Sequence, residues 1–86
     1  EDMKMSYDLV KQASQTIIGT KQAVKAMRAG QVNQLIIAFD ADSWVTDPAI
    51  LLAKEIGIPI SYVKSKRELG KACGIHVGAA VVAITA

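Results

Sequence analysis

Residues 35–39 read Leu-Ile-Ile-Ala-Phe, an unbroken apolar run bounded by Gln34 and Asp40. Its length is that of a strand, and strand side chains alternate between two faces, so a continuous run requires both faces to be covered. The neighbouring segments supply the covers. Upstream, the stretch Lys21 to Ala29 places Ala23, Val24 and Met27 on one helical face before Gly30 stops it in the left-handed conformation. Downstream, Asp40-Ala41-Asp42-Ser43 reads as loop. Asp47-Pro48 then offers a cap and a first-turn proline for a helix carrying Ile50, Leu51, Leu52, Ala53 and Ile56 and ended by Gly57.

Further out, Thr16-Ile17-Ile18 reads as a short strand, Ile58 to Val63 as another, and Ala79 to Thr85 as the last. Pro59 marks the second of these as an edge strand or a strand entry. Ser65-Lys66-Arg67-Glu68 has capping-box spacing, which predicts a short helix to about Cys73 with Gly74 as its stop. Ser6 can cap a first helix through Ser14 with Leu9, Val10 and Ala13 on one side. Strands and helices alternate throughout, so the expected fold is α/β: a three-layer α/β/α sandwich around a small central mixed sheet. Parallel pairing is expected wherever a helix joins two strands.

Composition agrees with one domain. The chain has 86 residues, 51% hydrophobic but only 5% aromatic, so the core is built from Ala, Val, Ile and Leu. A domain of this size buries about 60–65% of its unfolded surface. Residues 1–5, which contain Met3 and a second methionine, Met5, carry no structural pattern and read as an appended or flexible N-terminus, leaving 6–86 as the domain. The composition excludes a disordered tail protein. The longest apolar run, Gly78 to Ile84, is far short of the ~20 residues that cross a bilayer, so no membrane association is expected. No signal segment is recognisable, and the expected location is cytoplasmic. Cys73 is the single cysteine, which supports neither a disulfide nor a zinc site and reads as a small buried hydrophobe.

The net charge of +2 is segregated along the chain. Residues 16–36 hold Lys21, Lys25 and Arg28 with no acid, and residues 59–86 hold Lys64, Lys66, Arg67 and Lys71 against Glu68, so each segment is +3. Residues 37–58 hold Asp40, Asp42, Asp47 and Glu55 against Lys54, which makes them −3. Such segregation favours an anionic partner on one face.

The helix after Gly19 sharpens this. With Thr20 as its cap, the first helical residue is Lys21, where the helix dipole repels a cation by roughly 0.3–1 kcal/mol. At about 100° per residue Lys21, Lys25 and Arg28 share one stripe, away from the core face, with no acid at i+3 or i+4. A phosphate backbone would remove the anomaly, since the free amides at Gly19-Thr20-Lys21 form an anion site that the cations extend. Neither a P-loop nor a G-x-G-x-x-G fingerprint is present. His76 is the only histidine, and Asp40 with Asp42 supplies too few ligands for a metal cage, so no catalytic or metal site is expected. Trp44 reads as a loop anchor or as a partner contact. Ile75 and Val77, beside glycines at a helix-to-strand junction, either tuck into the core or form an apolar platform for a group such as an unstacked base.

Gly19-Thr20-Lys21-Gln22-Ala23-Val24-Lys25 followed by Gly30, then Ile37-Ala38-x-Asp40-x-Asp42, then Leu69-Gly70-x-Ala72-x-Gly74-Ile75 resemble the kink-turn RNA-binding superfamily of ribosomal proteins. That superfamily includes the archaeal large-subunit protein "seven-Ae", the eukaryotic-type "thirty-e" protein and small bacterial members, which the chain resembles most. The resemblance implies an α/β/α sandwich that binds a kink-turn, an RNA duplex bent at a three-nucleotide bulge beside tandem sheared G·A pairs. By position, Gly19, Thr20, Lys21 and Gln22 would meet backbone and guanine edges, Lys25 and Arg28 phosphates, and Ile75, His76 and Val77 the bulged nucleotides. Archaeal members typically have Asn-Glu at Lys21-Gln22, and an acid is common at His76. The expected function is therefore non-catalytic RNA binding, to ribosomal or riboswitch-type regulatory RNA, by a monomer without cofactors. The alternative is an adaptor that docks an acidic protein on the same basic face.

Overall fold

The apolar run of residues 35–38 lies inside a four-stranded sheet. In the computed structural model, which describes Tyr7, residues 9–11 and residues 15–85, the chain runs β1 (Thr16–Ile18), α1 (Thr20–Arg28), β2 (Val32–Ala38), α2 (Ser43–Ile56), β3 (Ile60–Val63), α3 (Lys66–Ala72) and β4 (Val81–Thr85). Tyr7 and residues 9–11 are also helical; the expected cap Ser6, Ala13, Ser14 and the segment 1–5 lie outside the described residues.

Leu35, Ile36, Ile37 and Ala38 are each at most 2% exposed. Alternation sends them to opposite faces. Leu35 and Ile37, with Val81 and Ala83 of β4, pack under Ala23 and Met27 of α1 and Ala49 and Ala53 of α2. Ile36 and Ala38, with Val82, pack against Val10, Val63, Leu69 of α3 and Ala79. Full burial of each large aliphatic side chain stabilises by about 1.5–3 kcal/mol, so these two clusters are what join the three layers.

The sheet order is β1-β4-β2-β3. Of the strand pairs joined by a helix, only β2 and β3 are parallel neighbours, in the register Leu35 to Ile60 through Ala38 to Val63. The expectation of parallel pairing across every helix is corrected here: β4 enters between β1 and β2 and runs antiparallel to both. Burial explains the order. Val81, Val82 and Ala83 are wholly buried and need a central place, whereas β1 has three half-buried residues that suit an edge. β3 takes the other edge, with Pro59 just before it, as the proline predicts.

Several boundaries move: β2 begins at Val32 rather than Leu35, β3 at Ile60 rather than Ile58, and β4 at Val81 rather than Ala79. Phe39 leaves the strand, and its exposed ring rests on Tyr62 with centroids 5.0 Å apart. α2 begins at Ser43 rather than after Asp47, because the Val45 and Thr46 N–H groups close its first turn on the Asp42 carbonyl at 2.9 and 3.2 Å. Pro48 therefore lies inside the helix. It removes the bond to the carbonyl of Trp44, an exposed residue, so the loss falls outside the core. At α3 the expected cap is present, with Ser65 Oγ accepting from the Glu68 N–H at 3.2 Å.

Candidate nucleic-acid interface

The start of α1 is set by a glycine. Gly19 has φ 105° and ψ 146°, a conformation that L side chains rarely adopt. Its carbonyl accepts the first intrahelical bond, from the Ala23 N–H at 2.9 Å, and its own N–H donates to the Val81 carbonyl at 2.9 Å. The helix thus begins at Thr20, and the expectation that Thr20 caps it is corrected: Thr20 Oγ1 makes no cap bond and is buried without a partner. The amides of Thr20, Lys21 and Gln22 precede the first helical bond, and no acid stands in that turn. Lys21, Gln22, Lys25 and Arg28 are all exposed, while Ala23, Ala26 and Met27 are buried. Gln22 and Lys25 also line a groove of about 520 Å³ between α1 and β1.

The segment between α3 and β4 is pinned to α3. The Ile75 N–H donates to the Gly70 carbonyl at 3.0 Å, and the Ala79 N–H to the Lys66 carbonyl at 2.9 Å. A Cβ on Gly70 would run into the Val77 carbonyl oxygen, so glycine is what lets the loop lie flat on the helix. Both sequence alternatives for this loop occur, one at each residue: Ile75 packs against the Leu69 side of the core, whereas Val77 is 69% exposed. His76 is exposed beside it. His76 and Val77 share a cavity of about 210 Å³ with Arg67 and Lys71. Those two cations were not singled out from sequence, although the +3 charge of residues 59–86 was their signal.

Asp40 and Asp42 part company. Asp40 Oδ1 accepts from the Lys66 N–H at 2.8 Å, which ties the end of β2 to the start of α3. Asp42 lines a cavity of about 290 Å³ with Ala41, Val45, Lys66, Gly78 and Ala80. No group of three metal-ligating side chains occurs among the described residues. Cys73 is half-buried against the second core cluster, and burial pushes its thiol above the ordinary range. Trp44 is 76% exposed, which rules out a loop anchor.

These parts meet at one end of the sheet. The Ala38 N–H donates to the Ala80 carbonyl at 2.9 Å, as Gly19 does to Val81, so β4 begins between the ends of β1 and β2. The α1 amides and the 75–80 segment are therefore neighbours.

Residues 1–86 match the profile of the ribosomal protein L7Ae/L30e/S12e/Gadd45 family. The chain belongs to this family. Members similar to it include an "RNA-binding protein" of Bacillus pumilus, 54% identical over 80 residues, covering 93% of this chain and 98% of the relative. An "RNA-binding protein" of Geobacillus thermodenitrificans is 46% identical with the same coverage. Among solved structures, a 15.5 kD RNA binding protein of Giardia lamblia superposes with a TM-score of 0.88 at 30% identity, covering all of this chain and 76% of its own. In this L7Ae/L30e-family chain, the blocks that carried the sequence resemblance coincide with fixed geometry: Gly19 at the α1 start, Asp40 on the Lys66 amide, and Gly70 under the loop.

Proposed function

We propose that this chain is a non-catalytic RNA-binding protein that recognises a kink-turn. The observation that carries the reading is the convergence just described, in which the acid-free α1 start and the pinned 75–80 loop share one sheet end through the bonds Gly19 to Val81 and Ala38 to Ala80. The Gly19 N–H is already committed to the Val81 carbonyl, so anionic backbone meets the amides of Thr20, Lys21 and Gln22, with Lys25 and Arg28 continuing the track. Thr20 contributes through its main chain, because its hydroxyl is turned away into the protein. Gln22, able to donate and to accept, reads guanine edges at the G·A pairs. Ile75 backs the platform from beneath, and His76 and Val77 cover the bulge.

A gel-shift titration tests the reading. A kink-turn RNA is expected to bind at least tenfold more tightly than a plain duplex of equal length, and Gln22→Ala is expected to narrow that ratio more than it weakens duplex binding. Equal affinity for the two RNAs would reject it.

A further inference from the structure

The outer face of α2 has the wrong polarity for a solvent face. At 100° per residue Trp44, Pro48, Leu51 and Glu55 fall within one arc, opposite the buried Thr46, Ala49 and Ala53. Trp44 is 76% exposed, Leu51 67%, and Pro48 is exposed between them, so an apolar stripe about 10 Å long runs down the helix from its first turn. Phe39 is comparably exposed but rests on Tyr62; no ring contact of Trp44 occurs among the described residues. Solvent faces of amphipathic helices ordinarily carry charge, and exposed clusters of large apolar side chains mark contact sites.

We infer that this stripe docks a cationic amphipathic helix of another protein. Charge selects the occupant. Glu55 stands on the stripe and Asp47 beside it, against Lys54, so the outer side of the helix carries two acids and one cation. Nucleic acid is repelled by such a rim, whereas lysines or arginines flanking an apolar helical face are attracted to it. Trp44 supplies the large, rigid anchor that dominates interfaces of this kind, and Leu51 two turns on supplies the second. The contact uses the outside of α2, leaving the α1 start and the loop 75–78 free, so it is independent of the RNA reading.

Trp44 is the only tryptophan, so its emission reports the stripe directly. The probe is a synthetic helical peptide with leucine on one face and lysine on the other, titrated without RNA against the full, isotope-labelled chain. Binding is expected to shift Trp44 emission to the blue, to move amide resonances of residues 43–56, and to weaken at least tenfold in Leu51→Glu. Equal binding by the same peptide with glutamate replacing lysine, or resonance changes centred on residues 20–28, would overturn the inference. Two further results would also overturn it by assigning another occupant: quenching of Trp44 by RNA, which Leu51→Glu leaves intact, or a doubled mass in sedimentation that Leu51→Glu abolishes. A stable, folded Trp44→Ala chain that binds the lysine peptide unchanged would equally reject it.

Discussion

α1 and α2 lie on the same face of the sheet, both following strands that point the same way, yet their outer surfaces are opposites. Neither helix has an acid in its first turn, but α1 starts at a bare glycine and exposes Lys21, Lys25 and Arg28. α2 is preceded by Asp42 and exposes Trp44, Leu51 and Glu55. Both have the same backbone dipole, so the proposed anion site at α1 rests on more than the dipole. What distinguishes α1 is the side chains around its free amides and the loop that arrives beside them.

The largest break in that comparison should come from the loop. Gly70→Val places a side chain where the Val77 carbonyl lies, so the loop must lift from α3. RNA affinity is expected to fall by tenfold or more in a gel shift, with amide exchange rising in residues 74–79 ahead of the rest of the domain. If α1 were sufficient by itself, affinity would not change.

Charge reversal compares the helices directly. Lys25→Glu on α1 should weaken RNA binding about tenfold and reduce the salt dependence of log K by about one unit of slope. The same change on α2, Lys54→Glu, should alter affinity less than about twofold. Equal effects would mean that only net charge matters.

Asp40 connects the end of β2 to the start of α3. Asp40→Ala removes the acceptor of the Lys66 N–H and should cost about 1 kcal/mol, seen as a Tm lower by roughly 4–8 °C in thermal denaturation. Asp40→Asn, which keeps an acceptor, should restore most of it.

The smallest effect belongs to Cys73. Burial raises its thiol pKa in the folded state, so the unfolded chain releases the proton first as pH rises. Its contribution to stability is complete below the ordinary thiol range and is lost as pH climbs from there through the raised folded value. Denaturant titrations across that range should show a decline that Cys73→Ala flattens, and native Cys73 should react with a thiol reagent more slowly than in the unfolded chain.

Much of this was legible in the residues. The run at 35–38 required two covered faces and has them, and Gly30, Gly57 and Gly74 end their helices with φ of 72°, 80° and 80°. Ser65 caps where the spacing placed it. The basic ridge of α1 also followed from spacing alone, because helical period fixes which side chains share a stripe. The less legible features depended on partners distant in sequence. Pro48 read as a helix start because proline favours the first turn, but the Asp42 carbonyl had already closed a turn before it. Thr20 read as a cap by residue type, and the glycine conformation before it took that role. Asp40 and Asp42 looked like one acidic pair until Lys66, 26 residues beyond Asp40, claimed one of them.

By itself the sequence determined the layers, the glycine-stopped helix C-termini and the sign of each surface, since these depend on local period, on backbone freedom at glycine and on which charges are neighbours along the chain. Only the tertiary structure decided that β4 lies between β1 and β2, that the 75–80 loop thereby reaches the start of α1, and that Trp44 stays outside. Strand order is set by which apolar faces cover one another across the whole chain, and that competition has no local signature.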